Sequence, residues 1–217
     1  MHLECVTDTA TSPARPRPRQ ARKEARTAEI IAAGLREFAR HGFEGARLDR
    51  IAEAANIAKG TVYLYFKSKD DLFAAAVEER VVTILDETVA DFSTFEGTTE
   101  EILRFVIRET YDKLVKTEAI AIMHILISEG HRFPALVELY HTLAIKKGTA
   151  LLQAIIDRGL ARGEIRPNAA AKIPDLIIAP AVFFAINQRV FAKIHPLDLD
   201  DFIDGHIDLV LHGVLKG

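Results

Sequence analysis

The 217-residue chain has a single cysteine, Cys5, so it cannot form an internal disulfide. It has no long apolar run either. The longest, Leu176 to Ile186, contains Pro180 and falls well short of the roughly 20 residues that span a bilayer. The chain opens Met1-His2-Leu3-Glu4 with no apolar signal stretch. A reducing cytoplasm is therefore expected, with no membrane partner. Strand signals are scarce: alternation is not sustained and no Asn-Gly hairpin occurs. No period of 20–50 residues repeats, which excludes a solenoid. No His-Glu-x-x-His, cysteine pair or P-loop glycine pattern is present, so no metal site, cofactor or catalytic constellation is expected, and an enzyme is not the reading.

What is present is helical periodicity on an uneven charge distribution. Half the residues are apolar (49%) and about a quarter charged (27%), with a net charge of −3. Residues 1–70 carry 13 Lys/Arg against 9 Asp/Glu, and residues 71–217 carry 15 against 22. A basic front on an acidic body suits a protein that meets a polyanion at one end, although basic termini also serve solubility. Pro13, Pro16 and Pro18 with the arginines around them predict a flexible arm over 1–19. Arg15, Arg17, Arg19, Arg22, Lys23 and Arg26 either track phosphates or form a solvated tail.

Apolar spacing predicts nine helices, over about 21–41, 48–55, 59–65, 68–91, 99–117, 119–130, 134–162, 169–192 and 199–215. Gly42 is placed to close the first with a left-handed residue. Asn56, tolerant of positive φ, is placed at a tight turn. Ser68 reads as a helix N-cap with acids in the following turn. Ile51, Ala55, Ile57, Val62 and Phe66 can face inward onto Phe38 and Phe43. That leaves Lys59, Gly60, Thr61, Tyr63, Leu64 and Tyr65 on the outer face of a short second helix. Such a face suits the major groove, where hydroxyls and ammonium groups take phosphates and an apolar tip meets a thymine methyl.

The run Lys59-Gly60-Thr61-Val62-Tyr63-Leu64-Tyr65-Phe66, followed by Lys67-Ser68-Lys69 and Leu72, resembles the helix-turn-helix signature of the TetR/AcrR family of bacterial transcriptional regulators. Phe38-Ala39-Arg40-His41-Gly42-Phe43 fits the end of that family's first helix. Residues 127–136 with 162–167 look like its AefR-type C-terminal domain. The resemblance implies an all-α chain with a three-helix DNA-binding head over 20–67 and a ligand-binding and dimerisation body over 68–217. It implies a ligand-released repressor on a palindromic operator. DNA contacts then fall to Lys59, Gly60, Thr61, Tyr63, Leu64 and Tyr65, with Lys69 on a phosphate and Arg47 and Arg50 beside them. Ala58 and Arg47 depart from the family pattern, each costing a helix cap. Ala58 and the acidic Asp49 are the only support for the alternative, a helical ligand-binding or interaction protein that has lost DNA affinity.

Residues 169–192 are apolar on nearly every side, as a helix buried on all faces requires. With 199–215 they are expected to form a homodimer contact, and Pro174 and Pro180 to kink the segment or delay its start. A small hydrophobic effector is expected between the middle helices. Its candidate contacts are Phe92, Phe95, Phe105, Tyr111 and Met123, with His124, Ile127, Phe183 and Asn187. Ordinary core packing competes with ligand contact at each of them. Asn187 and His124 stand out, since a polar group on an apolar face must find a partner.

Overall fold

The computed structural model describes residues 18–117, 119–168 and 170–216. Among the described residues the chain is all-α, with nine continuous helices, as the periodicity predicts. They comprise eleven α segments: α1 (Pro18–Gly45), α2 (Leu48–Ala54), α3 (Lys59–Tyr65), α4 (Lys69–Val77), α5 (Thr83–Thr94), α6 (Thr99–Glu109), α7 (Ala119–Glu129), α8 (Pro134–Tyr140), α9 (Lys146–Ala161), α10 (Ala179–Val190) and α11 (Leu199–Val214). Wider π turns at Glu78–Val82 and His141–Ile145 join α4 to α5 and α8 to α9, and a third at Thr110–Val115 prolongs α6. The one bridge of strand type among the described residues pairs Ile165 with Leu215.

The segments α1 and α10 differ from expectation. The helix α1 begins at Pro18, so Arg19, Arg22, Lys23 and Arg26 lie on a helix; the rest of the expected arm, residues 1–17, is outside the described residues. Proline is tolerated there because the first helical N–H has no acceptor in any case. The segment expected over 169–192 is helical only over α10. Pro174 and Pro180 each stand in a first turn, and two 3₁₀ turns, Ala170–Lys172 and Pro174–Ile177, precede α10. Residue 169 is not described.

Burial divides the apolar interior into two clusters. One holds Ile30, Leu35, Phe38 and Phe43 of α1, Ile51 of α2 and Val62 of α3. It continues into Leu72 and Phe73 of α4, Ile122 of α7 and Leu136 of α8. The head and the near end of the body thus share a core across residue 67. The other cluster is formed by α6, α9, α10 and α11 around Tyr111, Ile155, Phe184 and Ile207. In it, the Tyr111 hydroxyl lies 3.0 Å from His206 Nδ1, while His206 Nε2 lies 2.7 Å from the Ile177 carbonyl. A carbonyl accepts only, so Nε2 carries the proton, and Nδ1 accepts from the tyrosine.

Gly42 interrupts α1 at φ 69°, ψ 171°. That conformation is nearly confined to glycine, and differs in ψ from the left-handed geometry expected for a helix stop. Beyond it, the backbone N–H of Phe43 donates to Glu129 Oε1 (2.5 Å) and that of Glu44 to Oε2 (3.3 Å). Arg132 pairs with Glu44. A Cβ on residue 42 would stand 2.2 Å from Glu129 Oε1.

Gly42→Ala is expected to lower stability by more than about 2 kcal/mol, since backbone strain of this kind costs on the order of 1–3 kcal/mol before the carboxylate is displaced. A urea midpoint that falls with its slope unchanged checks this. Burial holds His206 below the ordinary histidine value. The unfolded imidazole therefore takes up its proton first, near about pH 6.5, and stability falls as pH drops below that. Urea midpoints between pH 7.5 and 5.5 should show this slope, reduced in His206→Asn. Burial, and then Arg189, lowers His124 in the same direction, so a remainder should persist.

Candidate nucleic-acid interface

The two short helices α2 and α3 meet at Asn56, whose φ of 52° is the one positive value among described non-glycine residues. The turn expected there is present. Ala58 leaves α3 without a side-chain cap, and Arg47 leaves α2 without one. Glu37 on α1 anchors the start of α2 without capping it. Its buried carboxylate accepts weakly from the Arg47 N–H (3.4 Å) and from Arg50 Nη1 (3.3 Å), and pairs with His41 (3.0 Å). Glu37 thereby ties the first helix to the second.

On α3, Val62 is buried and its neighbours face out. Leu64 is 84% exposed and Tyr63 45%, unusual for apolar-bodied side chains on a solvated helix. Gly60 is exposed, and a Cβ there would meet no atom within 4 Å. Thr61 is half-buried. Tyr65, expected on the outer face, is half-buried and packs against the first core cluster, with its ring 6.5 Å from that of Phe66. Residue 65 starts to turn back toward the core, so only part of its ring is outward.

The cations are placed unequally. Arg47 and Arg50 are exposed at their tips. Lys59 donates to Asp49 Oδ2 at 2.8 Å. That bond holds the Asp49 carboxyl below the ordinary carboxylate value and raises the Lys59 ammonium. Lys69 departs from the phosphate role expected of it. Its ammonium donates to the carbonyls of Phe43 (2.7 Å) and Glu44 (2.8 Å) and lies 4.9 Å over the Phe43 ring. It therefore caps the broken end of α1. Arg19, Arg22, Lys23 and Arg26 line one side of an open groove of about 1100 Å³, whose other side is Leu64, Tyr65 and Phe66.

The residues expected around an effector are scattered. Met123, His124 and Ile127 line one small void between α7 and α10, with Ile127 57% exposed at its rim. Phe92 and Phe95 carry the Arg158 guanidinium over their rings, at 5.6 and 5.8 Å, and Phe105 is half-buried against the second cluster. Tyr111 is core, held by His206. Phe183 faces outward, 55% exposed, stacked on Phe202 and lining an outer groove with Leu176 and Leu209. Asn187 is buried, and its Oδ1 has no hydrogen-bond partner among the described residues. Periodicity identified these side chains as apolar but could not say which side of a helix meets a cavity. Arg189 was missed, although it is the one cation within α10. Glu129 was missed because its partners lie more than 80 residues away.

Among the described residues no group of three or more His, Cys, Asp or Glu could hold a metal ion, and no helix is long and apolar enough to cross a membrane.

Residues 30–76 match the family model for bacterial regulatory proteins of the tetR family, and residues 96–210 match the tetracyclin repressor-like C-terminal domain. Nothing in the second match singles out the AefR type. The HTH-type transcriptional repressor SCO4008 of Streptomyces coelicolor is 31% identical over 154 residues, 71% of this chain and 73% of its own. The fatty acid metabolism regulator protein of Bacillus subtilis is 26% identical over 188 residues, 86% of this chain and 94% of its own. The structure of the regulator FadR from Bacillus subtilis in complex with stearoyl-CoA has a TM-score of 0.72 at 21% identity, covering 86% of this chain and 98% of that one.

Lys69→Ala is expected to lower stability by about 1–2 kcal/mol, as the part-buried carbonyl of Phe43 and the exposed one of Glu44 lose a charged donor. Leu64→Ala should leave the urea midpoint unchanged. An unchanged midpoint in Lys69→Ala would return its ammonium to the phosphate role.

Proposed function

The chain belongs to the TetR family of bacterial regulatory proteins, and from that premise we propose that it is a repressor that binds a palindromic operator as a homodimer and leaves it when a small hydrophobic effector enters the body. The observation that carries the reading is the surface of α3: an exposed leucine and tyrosine, a bare glycine and a lysine on a helix whose opposite side is core. Solubility alone asks for neither the leucine nor the tyrosine.

In this reading α3 enters the major groove. Gly60 allows close backbone approach, Thr61, Tyr63 and Lys59 take phosphates or base edges, and Leu64 meets an apolar base edge. Arg47 and Arg50 lie on adjacent phosphates. The α1 cations share a groove with the tip of α3, which supports a second row of phosphate contacts. Asp49 competes with DNA for Lys59, so contact exchanges one ion pair for another.

The exposed apolar side of α10 and α11, with Phe183 and Leu209, supports the dimer expected through 169–192 and 199–215. Two heads held by that contact reach successive major grooves one helical turn apart. An effector acts by binding better to a form in which their separation is wrong, and it can shift the balance only by that difference in affinity. The helix over 69–94 and α7 both run between body and head, and α7 also holds the α1 bend through Glu129.

A fluorescence-anisotropy titration of the full chain against a palindromic duplex tests this. The logarithm of the affinity should fall linearly with log salt, and Arg22→Ala with Lys23→Ala should flatten that slope by about two. Leu64→Ala should change the preferred sequence and keep the slope. A flat salt response in the unaltered chain would favour the alternative, a helical ligand-binding protein without DNA affinity.

A further inference from the structure

Three small voids lie in a row where the two core clusters meet. The first, about 60 Å³, sits between α5, α6 and α9, beside Ile84, Val106 and Leu152. The second, about 110 Å³, is ringed by Val81, Thr110, Val115, Tyr140 and Ile145. The third, about 50 Å³, lies between α7 and α10. Thr110 and Ile178 form the wall between the first and second. Ile120, Met123 and Ala185 form the wall between the second and third. Each partition consists of two or three side chains, and one of them is methionine, whose three rotatable bonds let it move aside at low cost.

Size and shape restrict what such a row accepts. A cavity of roughly 150 Å³ is what takes up a benzene ring, so none of these voids holds a compact molecule. A thin chain can thread all three once the side chains between them move aside. Their linings are almost wholly apolar, matching methylene groups rather than polar ones. The middle void is also the place where all three π turns converge: Val81, Ile145, and Thr110 with Val115 come one set from each. Such turns widen a helix, and they recur at functional sites.

The two ends of the row differ. At the outer end, His124 and Arg189 stand beside the third void, and the charge of Arg189 acts on the imidazole. Neither side chain pairs with a carboxylate among the described residues. Arg189 is exposed, on the side of α10 turned from Phe183 toward α7. An unpaired guanidinium beside an imidazole at the mouth of an apolar passage is suited to an anionic group, which arginine binds through paired N–H donors.

We propose that the effector is an unbranched alkyl chain bearing an anionic head, the chain threaded through the three voids and the head held by Arg189. This rests on reading the body as the effector-binding part, and it narrows the effector's chemistry. The head is a carboxylate, as in a free fatty acid, or the phosphates of an acyl thioester.

Calorimetric titration of the full chain with four probes below their micelle-forming concentrations tests it. Dodecanoate and dodecanoyl-coenzyme A distinguish the two heads, dodecanol removes the charge, and adamantane-1-carboxylate keeps the charge on a compact body. At least one anionic chain should bind tenfold or more tightly than dodecanol, and adamantane-1-carboxylate should not bind. Arg189→Gln, at an exposed position that should not disturb folding, should bring the anionic chain to within about twofold of dodecanol without altering dodecanol itself. Equal affinity for dodecanol, a preference retained in Arg189→Gln, tighter binding of the compact anion, or no binding by any chain would each overturn the proposal. Operator anisotropy on the same preparation separates the two readings. DNA binding without chain binding refutes only the effector chemistry, and chain binding without DNA binding refutes only the regulator.

Discussion

The bend at residues 42–44 is held from both sides by charge, and the relation of head to body depends on it. A helix broken at Gly42 exposes N–H and C=O groups that no turn of its own can satisfy. Glu129 from α7 accepts the N–H groups, and Lys69 from α4 donates to the carbonyls. Charged partners make such bonds roughly twice as strong as neutral ones. The bend requires glycine, the glycine leaves the space the carboxylate occupies, and the carboxylate fixes α7 against α1. These are one constraint seen at three residues.

A continuous core follows the same path. Phe38 and Phe43 lie against Phe73 of α4, and Phe133 packs on Phe43 at 5.1 Å between ring centres. The head is therefore no bead on a string, and its orientation is set by the packing that shapes the near end of the body. Met123 and His124 stand on the same helix as Glu129, so a side chain displaced beside the third void lies within two turns of the group that grips the bend.

Much of this was legible in the sequence. The stripe through Ile30, Leu35 and Phe38, the punctuation at Gly42 and Asn56, and the run from Lys59 to Phe66 each follow from local spacing. The head's architecture, the helix count and the family could all be read from them. What could not be read were choices made by distant partners. Lys69 has the composition of a phosphate contact, and only the fold reveals two carbonyls 25 and 26 residues earlier in reach of it. Phe183 and Tyr111 have the same apolar weight in a pattern, yet one faces outward and the other is sealed beside His206. Arg189 gave a signal in sequence, as a lone cation in an apolar helix, but its meaning depends on what α7 brings opposite.

The π turns have a bearing on how these helices tolerate change in length. Two of them, at 78–82 and 141–145, fall where a helix leaves the first core cluster for the second. Each accommodates one residue more than an ordinary turn, which moves the apolar stripe on by one position in the sequence, a change that uniform winding would turn into a rotation of about 100°. The side chains before and after can thus serve two interiors that a uniform helix could not face at once. Loss of a single residue inside such a turn would restore uniform winding and leave the downstream stripe on its core, whereas the same loss elsewhere in the helix would turn that stripe by about 100°. Natural variants one residue shorter are accordingly expected to lose it within the wide turn, with both stripes still on their cores.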